Sequence, residues 1–226
     1  MTYQVINASL LLPQHRQRAY FVGIRQDLKA ECAAFRWPRI PVLQRPVKYI
    51  LEPESAVQDC YLTPHQWGKI LGNAHYQKDP SRRMVRLGGV ARTLTSSYKS
   101  GFYMYSEFVP PPKEGSEPRF WSPREAARIM GFPETFTLGA CKNLGRSYHQ
   151  LGNAVCPPII AAIGGCLNRA LQQRPAPVGT DGTDLAPALD LVLQGCPASM
   201  HVSDDPTTAS LLGTSRGVSA PTPAAV

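Results

Sequence analysis

Between residues 13 and 24 a polar turn runs straight into an apolar segment, and few folds accommodate that junction. Pro13-Gln14-His15-Arg16-Gln17-Arg18 is followed at once by Ala19-Tyr20-Phe21-Val22-Gly23-Ile24. Side chains alternate along extended chain, so Gln14, Arg16 and Arg18 are expected on one face. The six residues after them read as a strand buried on both faces. Guanidinium groups at the mouth of a buried strand are costly to desolvate unless something pairs with them. Either a partner meets them, or they fan into solvent at a strand start.

Upstream, Tyr3 to Leu12 reads as a short strand carrying Val5, Ile6 and Leu10 to Leu12. Two strands joined by so short a turn are simplest as antiparallel neighbours. An isolated pair is marginal in water, so the hairpin is expected on the edge of a sheet built by other polypeptide. The 226 residues suffice for one domain and a small appendage. No apolar run reaches the roughly 18 residues of a membrane helix, and no secretory signal is visible at Met1-Thr2-Tyr3-Gln4-Val5. The six cysteines (Cys32, Cys60, Cys141, Cys156, Cys166, Cys196) show no CxxC spacing. That argues against a zinc site or a disulfide framework. Reduced thiols are expected, in an intracellular protein, nuclear in a eukaryote and cytoplasmic in a bacterium.

Charge is uneven. Residues 1–174 hold 23 Lys+Arg against 11 Asp+Glu, a net +12, whereas residues 175–226 hold 1 against 5, a net −4. A basic folded part suits a polyanionic partner, because each phosphate it neutralises releases counterions. Residues 78 to 107 concentrate that charge: Lys78, Arg82, Arg83, Arg86 and Arg92 precede Thr93-Leu94-Thr95-Ser96-Ser97-Tyr98-Lys99, then Phe102, Tyr103 and Tyr105. Cations, hydroxyls and aromatics mixed this way bind phosphates and stack on bases. The same composition also suits an ordinary exposed, β-rich loop.

Helix signals punctuate the rest. From Arg25 to Leu51 the chain is proline-rich and irregular, a connector leaving the sheet. Thr63-Pro64-His65-Gln66-Trp67 has a capping residue, a first-turn proline and Gln66 at the third position, and Gly72-Asn73 ends the helix. Pro110-Pro111-Pro112 is a stiff connector. Ser122-Pro123-Arg124-Glu125 predicts a capping box, with Ala126, Ile129 and Met130 as the buried stripe and Gly131 as the stop. Tyr148 to Leu171 is the last ordered element. Gln150-Leu151-Gly152-Asn153-Ala154-Val155 reads as a glycine turn, and Pro157-Pro158 opens an apolar helix from Ile159. A turn feeding a helix N-terminus offers N–H groups to a polar ligand, although a capped core helix has the same sequence. Residues 175–226 read as a disordered tail, with Leu185 to Leu193 transiently helical.

In their order, four segments resemble the C-terminal half of cytosine-5 methyltransferases. They are the Gln-x-Arg-x-Arg turn, Arg-Thr-Leu-Thr-Ser-Ser-Tyr, Ser-Pro-Arg-Glu-Ala-Ala-Arg-Ile-Met-Gly-Phe-Pro, and Gln-Leu-Gly-Asn-Ala-Val. The resemblance runs from about residue 3 to 171. It implies an α/β fold: part of a Rossmann-like, S-adenosylmethionine-dependent methyltransferase domain in residues 1–28 and 119–174. Residues 29–118 would form a small, irregular or β-rich target-recognition region. That family adds a cysteine thiolate to C6 of a flipped cytosine, methylates C5 and eliminates the enzyme. By resemblance, Arg18 contacts the flipped base, and Arg16 helps hold the catalytic carboxylate and cysteine segment. Arg92, Thr93, Thr95 and Ser96 contact nucleic acid, and Asn153 and Ala154 line the cofactor.

The family's Phe-x-Gly-x-Gly, Pro-Cys and Glu-Asn-Val segments do not occur in this chain. Cys156-Pro157 has the reverse order and is assigned to packing. The chain alone is therefore expected to transfer no methyl group. It is either a shortened copy of a longer enzyme or a second subunit docking with a partner that carries the cysteine half. DNA is the expected substrate; tRNA and a catalytically inactive nucleic-acid-binding module are the alternatives. No metal and no membrane are expected as partners.

Overall fold

The computed structural model describes residues 1–28, 35–43, 45–113, 115–138 and 144–172. The proposed tail at 175–226 lies outside them. Strands β1 (Thr2–Asn7) and β2 (Gln17–Val22) form an antiparallel hairpin, with Thr2 opposite Val22 and Asn7 opposite Gln17. β1 is shorter than the expected Tyr3–Leu12. The Asn7 side chain accepts from the Ser9 and Arg16 amides, both at 3.1 Å, and turns Ala8–Leu10 into a 3-10 helix. Leu11 and Leu12 then drop into the core.

β2 is not buried on both faces. Among the described residues the sheet has only these two strands, and its outer side is exposed. Tyr3, Val5 and Phe21 are 65%, 57% and 63% exposed, and the Tyr3 and Phe21 rings stack at 5.6 Å. Ile6 and Val22 are the hairpin's buried contributions to the core.

Residues 35–118 are irregular rather than β-rich. Their described part holds two helices, α1 (Pro64–Leu71) and α2 (Ala74–Lys78), several 3-10 turns and isolated bridges such as Met84 with Phe108. Prolines 38, 41, 46, 53, 110, 111, 112 and 118 remove amide donors that a ladder would need. α1 carries the expected capping box: the Gln66 amide donates to Thr63 Oγ1 at 3.2 Å and the Thr63 amide to Gln66 Oε1 at 3.0 Å. Asn73 does not only end α1; its side chain accepts from the His75 amide and starts α2.

Helix α3 (Pro123–Met130) is the best-anchored element. The Glu125 amide donates to Ser122 Oγ at 3.0 Å, and the Ser122 amide donates to Glu125 Oε2 at 2.9 Å. Such a cap contributes about 1 kcal/mol. Glu125 is fully buried and takes a two-pronged hydrogen bond from Arg119 at 2.7 and 2.8 Å, so its charge is paired where water cannot reach. Gly131 ends the helix at φ 81°, and a Cβ there would meet Pro158 and Leu12, so a side chain is both strained and crowded.

Helices α4 (Leu144–Asn153) and α5 (Pro157–Leu171) close the structure. Gln150 to Asn153, expected as a glycine turn, are the last turn of α4, and the bend falls at residues 154–156. The stretch Gly145–Leu171 has the length and hydropathy of a membrane span, but this bend divides it. Tyr148, Leu151, Ile159 and Ile163 pack into one cluster with Leu11, Val47, Leu94, Phe108, Phe120, Trp121 and Ile129. The hairpin, the irregular region and the last three helices therefore share a core. At its centre Trp121 is held by two tyrosines. Its amide donates to the Tyr98 hydroxyl at 3.0 Å, and the Tyr148 hydroxyl donates to its carbonyl.

Candidate functional site

Of Gln14, Arg16 and Arg18, expected on one face, the first two are buried and the third is exposed. Gln14 is fully buried: its amide nitrogen lies 3.3 Å from the Ile129 carbonyl, and its oxygen accepts from the Leu94 amide at 2.7 Å. It ties the end of α3 to the Thr93–Ser96 segment. Arg16 is 5% exposed. Its guanidinium donates to the carbonyls of Leu94, Gly152 and Ala154, each at 3.0 Å. Three of a guanidinium's five N–H groups are thus held by backbone oxygens from two distant parts of the chain. Burial lowers the Arg16 pKa, and the neighbouring Arg18 lowers it further.

Arg18 has no such partners. Its side chain is exposed and donates to the Gln17 carbonyl at 2.7 Å. Of the two readings open for the arginines, Arg16 takes one and Arg18 the other. Arg18 still stands close enough to the bend after α4 that its charge, with that of Arg16, pulls down on the Cys156 thiol.

The Thr93–Ser96 segment is laid against this turn by backbone pairing. The Ala91 amide donates to the Pro13 carbonyl and the His15 amide to the Ala91 carbonyl, both at 2.8 Å. Thr93 Oγ1 donates to the His15 carbonyl at 2.6 Å, so its proton is engaged inside the chain and only its lone pairs face outward. Thr95 is exposed, with its hydroxyl 3.4 Å from that of Ser97, and Ser96 is half-buried. Arg92 is exposed, while its backbone amide donates to Glu107 Oε2 at 2.9 Å. Arg83, counted in the sequence among the phosphate-binding cations, faces inward. It is buried, lies 5.3 Å over the Phe108 ring, and donates to the carbonyls of Phe102 and Ser106.

On the other side, Gly152 meets the same segment by close approach. A Cβ on Gly152 would sit 2.3 Å from the Ser96 amide nitrogen and 2.3 Å from the Thr95 carbonyl carbon. Only a residue without a side chain lets α4 touch that backbone. Asn153 is exposed and hydrogen-bonds no described residue through its side chain, so its amide is open to a ligand. Ala154 offers less: its amide donates to the Leu151 carbonyl at 3.1 Å and its own carbonyl accepts from Arg16. Cys156 is buried, and burial pushes its thiol up to about 11 despite the two arginines. A thiol that high is not a thiolate at neutral pH, in keeping with its assignment to packing.

Two participants escaped the sequence reading. The Gly152 contact carries no local signal, since a close approach depends on what lies opposite. Glu107 did carry one: it is the sole carboxylate between residues 80 and 113, set in the basic, aromatic run.

Residues 1–169 match the family of C-5 cytosine-specific DNA methylases, and the chain belongs to that family. Among curated relatives, the type II methyltransferase M.SsoII of Shigella sonnei is 29% identical over 157 residues, 67% of this chain and 40% of the relative. M.DsaV of Dactylococcopsis salina is 30% identical over 169 residues, 72% of this chain and 46% of the relative. The chain thus spans less than half the length of these relatives. The crystal structure of the S. pombe Dnmt2 methyltransferase superposes with a TM-score of 0.46 at 16% identity, covering 76% of this chain and 57% of that one.

Proposed function

We propose that the chain is the target-recognition and base-holding part of an S-adenosylmethionine-dependent DNA cytosine-5 methyltransferase. The remaining part, with the nucleophilic cysteine, is supplied in cis or as a separate subunit. The observation that carries this reading is the Arg16 guanidinium, which joins Leu94, Gly152 and Ala154 through three 3.0 Å hydrogen bonds. Those carbonyls belong to the segments that the resemblance assigns to nucleic acid and to cofactor. One buried cation therefore sets the distance between them. The exposed hairpin face supports the reading from the other side: stacked Tyr3 and Phe21 are an apolar surface against which the remaining part of the enzyme would pack.

In this reading Arg18, exposed beside the bend, directs its guanidinium to the carbonyl oxygen of an extruded cytosine. There a planar cation stabilises the negative charge that develops on the ring. Arg92, Thr95 and Ser96 hold the strand by its phosphates. The open Asn153 amide fits the polar part of a cofactor. S-adenosylmethionine, when bound, supplies a methyl group activated on a sulfonium. Arg16 acts by position: it keeps the bend and the Thr93–Ser96 segment in register while the base is held.

The test combines the chain with the preceding part of the enzyme and follows labelled methyl transfer from S-adenosylmethionine to duplex DNA and to tRNA. The pair is expected to methylate DNA, and the 226-residue chain alone to methylate nothing. Arg18→Ala is expected to lower kcat by two orders of magnitude or more while leaving thermal stability unchanged, about the loss from removing one charge-stabilising donor. Transfer to tRNA alone would reassign the substrate. Transfer by the chain alone would overturn the division of labour.

A further inference from the structure

A pocket of about 410 Å³ opens beside the Thr93–Ser96 segment, lined by Glu107 and Tyr105, which the proposed chemistry does not use, and by Arg92 and Thr95, which it assigns to phosphate. Its size lies within the roughly 300–1,000 Å³ of small-molecule sites. Its charges are arranged by depth. Glu107 lines it and is 9% exposed, while Arg92, which also lines it, is exposed to solvent. Glu107 Oε2 is capped by the Arg92 amide, and no described donor reaches its second carboxylate oxygen. That oxygen is not sealed in the core, since no fully buried side-chain oxygen among the described residues lacks a partner. Tyr105, 47% exposed, adds an aromatic ring to the wall. The Glu107 backbone is anchored, because its carbonyl accepts from the buried Tyr98 hydroxyl at 2.8 Å, and its carboxylate is held by the Arg92 amide.

Resting on the nucleic-acid reading above, we propose that this pocket receives a nucleobase bearing an exocyclic amine, with Glu107 accepting from that amine. Arg92 then meets the phosphate of the same nucleotide and Tyr105 stacks on its ring. An acceptor-only group inside and a cation outside match a ligand with a donor at one end and an anion at the other. A carboxylate takes a hydrogen bond from the cytosine or adenine amine and repels the carbonyl that replaces it in uracil or thymine. A metal cation fits poorly, because a single carboxylate beside a guanidinium offers it little net charge. The site is separate from the place assigned to the target base at Arg18, so Glu107 is a specificity-determining residue for a second base.

The test measures fluorescence anisotropy of labelled 12-nucleotide oligo(dC) and oligo(dU) with the 226-residue chain. These probes differ on the ring edge at position 4, amine against carbonyl, and at N3, acceptor against N–H donor. The wild-type chain is expected to bind oligo(dC) at least about fivefold more tightly. Glu107→Gln keeps an oxygen for the Arg92 amide but turns an amide donor towards the pocket, so the preference is expected to vanish or reverse. Arg92→Ala is expected to weaken both probes alike and to flatten the salt dependence. Equal binding of both probes by the wild type, or a preference that survives in Glu107→Gln, overturns the base-reading role and leaves the nucleic-acid reading standing. Binding to neither probe at low salt overturns both. The wild-type comparison decides the matter even where a variant fails to fold.

Discussion

Arg16 and Arg18, two positions apart, show how environment divides identical side chains. Arg16 is desolvated and has three backbone acceptors; Arg18 has one and remains in water. Replacing Arg16 would leave three carbonyls without a donor, and lysine cannot span them, having a point charge in place of a planar fork. Glu107 is the counterpart among the acids. Burial raises its pKa, opposed by the Arg92 amide and charge. The folded protein therefore holds the Glu107 proton more readily than the unfolded chain does. The corresponding stability is fully present below the ordinary carboxylate range and is lost as pH rises through the folded value. In Glu107→Gln that loss disappears. Urea unfolding of both proteins between pH 4 and 8 should show the variant gaining on the wild type as pH rises; a constant difference would contradict the buried, charged carboxylate.

At the scale of elements, α3 and α4 were legible in the sequence to different degrees. The α3 cap, stripe and stop are local, and Ser122-Pro123-Arg124-Glu125 with Gly131 predicts Pro123–Met130 without reference to anything else. α4 carries Gly152 near its C-terminus, where a glycine reads as a turn; the contact with Thr95 and Ser96 explains it instead. Gly152→Ala is expected to destabilise the chain by about 1–3 kcal/mol through overpacking, since the opposing atoms are backbone and cannot swing aside. Gly164→Ala, inside α5 with no atom within 4 Å of its added Cβ, is the matched control and should stabilise by about 0.5–1 kcal/mol. Thermal unfolding of both variants separates a packing glycine from a merely tolerated one. Equal effects at the two positions would remove the close approach from the account.

For the molecule as a whole, the hairpin is the exposed boundary. Its outer face carries Tyr3, Val5 and Phe21 in contact with solvent, while Ile6 and Val22 anchor its inner face to the core. Contiguous apolar surface of this kind drives association. The chain alone is expected to self-associate with rising concentration in sedimentation velocity. A Tyr3→Ser, Phe21→Ser double variant is expected to stay monomeric, at a stability cost of about 1 kcal/mol or less for the lost cross-strand pair. Unchanged association would mean that this face does not drive it.

The sequence alone determined what depends on neighbours along the chain: the two capping boxes, the hairpin pairing, the position of the basic segment and a resemblance to the family to which the chain belongs. Strand burial was misread because alternation and apolar runs report composition, not what covers a face. The tertiary structure alone decided that Arg83 faces inward, that Arg16 gathers Leu94, Gly152 and Ala154, and that Glu107 stands in a pocket with an open oxygen. Each of these joins residues distant in sequence, 19 to 138 positions apart in the two arginine sets. The cost of burying charge is settled by whichever acceptor arrives from far along the chain, and no local pattern records that.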